Sequence, residues 1–562
     1  MPDRVLVRHF LWRLVDHDAV PEGTDRLGML SALAGLLMAA SLFIAILVAV
    51  PYQFFNEMPP GVVAVRSFDD RFLFVSLSML IAALAAVAQW DALALEPVDA
   101  GVLGALPVPL GRVVRAKWFA TGASGLGVVV AWNLIPTALR LAAVPIGVGL
   151  TWRAMLRLMG AHALVTCSAG AFGFLCVLSA RESARALLGP QRFQRVSPGL
   201  HAFVFVCLIT LLLLLPAFSA PLAQGRLSSD GVLARSLPAT WFVGVHEAMV
   251  GDIIIDSPRS RVPAYLQRAD TVATEGYQRV RLQGGRLAFM ALAALITVSG
   301  IALTASLWNS RRWPIGTSQT ATPSRQAPRT WSQVVNACMR SPMRRAGLLF
   351  GIQSITRSHR LRITLAVPVS VALAIVSVLE CRPLLGSSGG SPNPVTILAT
   401  QWVVLAVLLG GFRQVTRIPT DMSCQPTVVL GTTGSLREYV SGIKSAAWLL
   451  VIVPALATQA PLVSRVIGHR ETWLHLGAGV VVGKLMLDAV FYRTLRMPFV
   501  DPHPSMSLPH VRLAFGGCAL IAASFACGAV EHAAFRSPFL HAGVLGVVMV
   551  MSAALQRPGE GG

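Results

Sequence analysis

The sequence predicts an all-α integral membrane protein: about twelve transmembrane helices in two six-helix halves, with an amphipathic surface helix ahead of spans 1 and 7. Three observations carry this. Of 562 residues, 54% are hydrophobic and only 13% charged. Apolar runs recur at close to the ~20 residues that a helix needs to cross about 30 Å of hydrocarbon. Midway along the chain a stretch rich in Ser, Thr, Pro, Gln and Arg, residues 310–333, interrupts them and reads as a flexible cytoplasmic linker.

Bounded by Arg, Pro and Gly, the apolar runs fall near 27–50, 72–92, 118–138, 158–179, 199–221, 287–308, 363–380, 395–412, 445–464, 473–491, 513–529 and 537–555. The first is too long for a signal-peptide core and no A-x-A cleavage signal follows it, so it reads as a retained span. An even number of spans puts both termini on one side. Lys and Arg concentrate in the segments on the N-terminal side, which predicts cytoplasmic termini. The expected division is therefore a first half at 1–309, a linker at 310–340 and a second half at 341–562.

Ahead of the first span, Val7, Phe10, Leu11 and Leu14 recur at helical spacing among Arg4, Arg8 and Arg13. That pattern predicts a helix lying on the inner membrane surface. Ahead of the seventh, Leu348, Ile352 and Ile355 repeat it among Arg344, Arg345, Arg357 and Arg360.

After the second span of each half comes a Pro-containing connector ending in Lys. Aligned without gaps, 103–117 and 430–444 share Leu103/Leu430, Gly104/Gly431, Val113/Val440 and Lys117/Lys444. The coincidence of position points to an internal duplication. The halves differ outside. Residues 222–286 form a long outer segment around Trp241 and Phe242, too interrupted to span and expected to hold an interfacial or re-entrant helix.

A net charge of +21 invites a nucleic-acid reading, but the basic residues are spread among loops and no soluble basic domain holds them. Topology and anionic lipid headgroups account for the charge instead. The eight cysteines are scattered, with no C-x-x-C and no disulfide framework. No G-x-x-x-x-G-K-[ST] phosphate cradle occurs, and no G-x-S-x-G elbow. His246 and Glu247 resemble the start of a zinc-protease helix, but the second ligand position holds Val250. No catalytic residue, bound cofactor or metal site is expected. In the third span, Asn133 and Pro136 predict a bend. Lys484 and Asp488 in the tenth stand at i, i+4, on one helix face, and charge within hydrocarbon is costly. They read either as a local ion pair or as part of a substrate path. Gly479 and Gly483 on the same span form a G-x-x-x-G face for close helix packing.

These parts together resemble the permease subunits of type-2 ATP-binding-cassette (ABC) exporters. The segments "LGALPVPLGRVVRAK" and "LPATWFVGVHEAMVG" look like the cytoplasmic connector and the outer segment of such permeases. The resemblance implies two fused six-span units driven by a separate ABC ATPase, two copies per chain, with ATP bound on that partner. It places Asp99, Arg112, Arg115 and Lys117 in one coupling region and Arg437, Glu438 and Lys444 in the other. The second connector carries Thr433, Gly434 and Ser435 where the first has its Leu-Pro-Val run. A secondary transporter of major-facilitator type shares the six-plus-six layout, but its G-x-x-x-D-R-x-G-R-R connector is missing.

Overall fold

In the computed structural model, residues 2–15, 26–53, 60–90, 108–148, 151–223, 237–250, 264–312, 339–384, 394–418, 436–492, 497–500, 510–535 and 537–556 are described. Among them every regular element is a helix. Eight helical stretches are long and apolar enough to cross a membrane, which is the pattern of a multi-pass membrane protein. The chain divides into two compact units, 1–196 with 211–320 and 197–210 with 321–562. Most of the predicted linker, and Asp99 of the first connector, lie outside the described residues.

The first unit holds α1 (Pro2–Val15), α2 (Arg26–Gln53), α3 (Pro60–Ala88), α4 (Leu110–Val148), most of α5 (Trp152–Ala223), α6 (Pro238–Val250), α7 (Ala264–Leu282) and α8 (Gly284–Arg312). The fourth and fifth predicted spans are one long helical run, broken at Gly189 (φ 71°, ψ 165°). Pro190 explains the break: it disfavours the α region for the preceding residue, and only glycine reaches positive φ without strain. The core gathers Phe72 and Val75 of α3, Trp132 of α4, Phe172 of α5, Phe242 of α6 and Tyr277 of α7. The segment 222–286 therefore contributes two described helices, α6 and α7, that pack onto α3. Helix α6 is too short to cross, as expected, and Gly244 lets it lie directly on Leu287 and the Gly284 carbonyl of α8. Asn133 in the third span donates to Ser78 Oγ at 2.7 Å, joining α4 to α3, and to the Val129 carbonyl of its own helix at 2.8 Å.

The second unit holds α9 (Pro342–Arg357), α10 (His359–Leu384), α11 (Pro394–Val415), α12 (Leu436–Ala447), a π-helical turn (Trp448–Ile452), α13 (Val453–Ile467), α14 (His469–Val490), α15 (His510–Ala534) and α16 (Pro538–Gln556). Ser341 caps α9, accepting from the Arg344 amide, with Pro342 in the first turn. The π turn has a covalent cause. Pro454 lacks the N–H that would bond four residues back, so the ladder widens just before it and α12 runs on into α13 as one long span. The apolar portions on the seventh, eleventh and twelfth predicted spans are shorter, Thr364–Val378, Ala519–Ala534 and Ala542–Ala553.

Several span boundaries differ from the sequence reading. The second span was expected to begin at residue 72, yet α3 begins at Pro60 and carries Arg66, Asp69, Asp70 and Arg71. Three of these charges are paired, Arg66 with Asp70 at 3.6 Å and Arg71 with Glu247 at 3.0 Å, while Asp69 is buried with no hydrogen-bond partner among the described residues. The third and ninth spans also extend at their starts, to Leu110 and Leu436, with Arg112, Arg115 and Arg437 exposed on the added turns.

Candidate functional site

The residues expected in the two connectors stand on the first turns of two span helices. In the first unit, Arg112 and Arg115 are exposed on α4, while Val113, Ala116 and Ala120 on its other side bury against Phe10 of α1. Lys117 lies over the Phe10 ring, 5.6 Å from its centroid. The apolar face read in α1 is thus the face that packs, with Leu6, Val7 and Leu11 around Phe10.

In the second unit α9 covers the start of α12 in the same manner. Val440, Ile443 and Ala447 bury against Leu348 and Ile355. Val440 and Ile443 hold the positions that the gap-free alignment matches to Val113 and Ala116, and Ala447 continues the same register to Ala120. The backbones touch: a Cβ on Gly347 would lie 2.2 Å from the Tyr439 carbonyl, and one on Gly442 2.0 Å from that of Arg344. Arg437 and Glu438 are exposed. Glu438 accepts a 2.5 Å hydrogen bond from Ser341, so it also clamps the start of α9.

Lys444 leaves this foot inward and joins the other predicted polar site. Its ammonium donates to Asp488 Oδ1 at 2.7 Å, while Lys484 donates to Asp488 Oδ2 at 2.9 Å and to Ser552 Oγ at 2.7 Å. Ser552 in turn donates to Asp488 at 2.8 Å. Two sites expected separately are therefore one network. It joins the start of α12, the end of α14 and the end of α16. Periodicity finds Lys484 with Asp488, four residues apart, but nothing local finds Lys444 or Ser552.

Sequence reasoning also missed Phe499. It is fully buried with a left-handed backbone (φ 64°), unusual for a bulky residue. Its amide donates to the Thr416 carbonyl at 2.7 Å, and its ring packs on Phe350 of α9. Tyr439 of α12 reaches the neighbouring Pro498 carbonyl at 3.3 Å. This short segment after α14 therefore wedges α9, α11 and α12 together. The available signal was Pro498 beside an aromatic residue, which marks a turn but not its partner.

Asp488 has 5% of its side chain exposed, against 25% for Lys444 and 47% for Lys484. The expected effect of Asp488→Ala is a loss of about 1–3 kcal/mol in the second unit, below the full cost of an orphaned buried charge because both ammoniums reach the surface. Adding Lys444→Met and Lys484→Met should restore most of it. Thermal midpoints of the single and triple variants in detergent check this.

A second charged cluster lies in the first unit. Arg71 of α3 donates to Ser67 Oγ at 3.1 Å and pairs with Glu247 of α6, whose other oxygen accepts from the Tyr277 hydroxyl of α7 at 2.5 Å. His246 Nδ1 lies 3.5 Å from the same carboxylate. Burial alone would raise the pKa of Glu247, but Arg71, His246 and Tyr277 oppose it and hold the carboxyl at about 2. The pair that looked like half of a zinc motif belongs to a clamp joining α6 and α7 to α3.

No protein-family model, no curated protein and no solved structure matches this chain. Its class is that of an all-α, multi-pass membrane protein, as the eight long apolar helices among the described residues indicate.

Proposed function

We propose that the chain is the membrane-spanning permease component of an ABC-type exporter, with twelve spans in two six-helix halves and both termini cytoplasmic in a bacterial inner membrane. A separate ATPase, two copies per chain, drives it through the two connectors. One observation carries the reading: in each unit a helix preceding the first span covers the foot of the helix that follows the connector, at matching register, Val113/Val440, Ala116/Ile443 and Ala120/Ala447.

Force arriving at either connector would enter a span through a braced foot. Arg112 and Arg115, and Arg437 on the other side, are exposed there for an acidic partner surface. The network from Lys444 to Asp488 and Ser552 would pass the movement to α14 and α16. The alternating direction of the spans fits the pairings seen within each unit. Trp118 donates to Ser306 at 2.9 Å, joining the start of the third span to the end of the sixth. Lys444, Asp488 and Ser552 join the start of the ninth to the ends of the tenth and twelfth.

Changing Arg112, Arg115 and Lys117 to Glu should weaken ATPase copurification about tenfold or more without removing the protein from the membrane. Mild-detergent pull-down with membrane fractionation measures both. Unchanged association, or no nucleotide-hydrolysing partner with the unmodified chain, overturns the reading. A secondary transporter is favoured by one observation, the buried pair His475 and Glu531. Flux that persists without ATP and stops when the proton gradient collapses would select it.

A further inference from the structure

Four buried polar groups meet in the second unit at the end of the bundle opposite the Lys444 network. His475 of α14 and Gln401 of α11 are fully enclosed, and Trp402 of α11 and Glu531 of α15 nearly so. His475 Nδ1 lies 2.8 Å from Glu531 Oε1. The Gln401 amide donates to the His475 carbonyl at 3.1 Å, and the Trp402 ring stands edge-on to the imidazole at 5.8 Å.

Each of the four also holds one atom without a hydrogen-bond partner among the described residues: Gln401 Oε1, Trp402 Nε1, His475 Nε2 and Glu531 Oε2. Elsewhere in the unit Thr400 and Gln459 donate along their own helix, and the buried nitrogens without a hydrogen-bond partner among the described residues include those of Arg345, Arg362 and Arg413, which are spread apart and not gathered in one cluster. Four open valences on three adjacent helices are costly in an apolar bundle unless something small occupies them.

The chemistry selects the occupant. A carboxylate only accepts, so an ionised Glu531 places the proton on His475 Nδ1 and leaves a lone pair on Nε2. The cluster then holds three acceptors, one donor and a net charge of −1. We propose that His475 and Glu531 form an intramembrane proton-binding site, which takes one proton from water onto His475 Nε2. The product is an imidazolium beside a carboxylate, neutral overall, with a new N–H donor in a site rich in acceptors.

Among the described residues His475 and Glu531 form an ion pair with no charged group but each other. On α14, His469, Arg470 and Glu471 lie about one to two turns before His475, while Lys484 and Asp488 lie more than two turns on, engaged with each other. Helix α11 carries Arg413, about three turns beyond Gln401 and Trp402, and α13 carries Arg465 in its last turn, where the chain leads into the start of α14. On α15 the neighbours of Glu531 are Cys527, one turn away, and the exposed His532. Helix α16 offers no titratable group among its described side chains. The proposal holds whether an ATPase or an ion gradient drives the chain.

The test uses the full chain in lipid nanodiscs, labelled with 15N-histidine, and solid-state NMR from about pH 9 to about pH 5, the range that histidine spans. The His475 signal is the one lost in His475→Gln. It should pass from neutral imidazole to imidazolium. In Glu531→Gln, which keeps an acceptor for Nδ1, the conversion should need about tenfold more protons or beyond. Trp402→Phe, which leaves both partners in place, should change the midpoint by less than about twofold. If Glu531→Gln fails to fold, Glu531→Asp substitutes for it, with conversion expected to remain because the charge remains. An imidazole that stays neutral throughout, with its lone pair held by bound water, overturns the proposal, as does a conversion indifferent to Glu531→Gln.

Discussion

Glu247→Ala should destabilise the first unit by about 3 kcal/mol, the lower end of the cost of breaking a buried ion pair. The change leaves Arg71 almost fully enclosed without its carboxylate and the Tyr277 hydroxyl without its acceptor. Asp69 and Asp70, beside Arg71 on α3, offset part of that charge, which places the effect at the lower end. Arg71→Met combined with Glu247→Ala should cost less than either change alone, because most of the loss comes from a charge left unpaired. A double-mutant cycle on unfolding midpoints in detergent measures the coupling. Additive losses would mean that the two side chains do not act as a pair. The consequence reaches beyond stability: α6 and α7 meet α3 through this cluster, so the single variant should raise hydrogen exchange in α6 and α7 before the spans respond.

The positions of the helices were legible because hydrocarbon-length apolar runs are a strong signal, and every predicted span falls on a helix. Their limits were less legible. A charge in a sequence marks the edge of a run only if it is unpaired in space, and the partner of Arg71 lies far along the chain. The same limit applies to the site. Lys484 and Asp488 are visible as an i, i+4 pair, but Lys444 lies 44 residues from Asp488 and was assigned elsewhere. The repeated foot was only half visible: Lys117/Lys444 appears as identity, whereas Ala116/Ile443 differ in residue and coincide in being buried. What the two halves share is a packing face, and an identity count sees little of that. His475 and Glu531 escaped for the same reason as Lys444, being 56 residues apart.

Gly442 tests the foot most sharply, because two effects of known sign compete there. Within a helix, Gly→Ala gains up to about 1 kcal/mol from backbone entropy and propensity. At Gly477 of α14, where a Cβ meets nothing within 4 Å, Gly477→Ala should show that gain. At Gly442 the added carbon would sit 2.0 Å from the Arg344 carbonyl and 2.7 Å from the Leu348 amide. Both are backbone atoms of α9, which cannot rotate away as a side chain does. Gly442→Ala should therefore cost about 1–3 kcal/mol or more, the opposite sign from Gly477→Ala. Equal thermal midpoints for the two variants would show that α9 does not rest on α12. If the midpoint falls as expected, α9 has moved off the foot, Glu438 has lost Ser341, and the buried face of Val440 and Ile443 has opened. Under the permease reading the same variant should bind the ATPase yet transmit its turnover poorly, since Arg437 stays exposed while the bracing that turns a push into helix movement is gone.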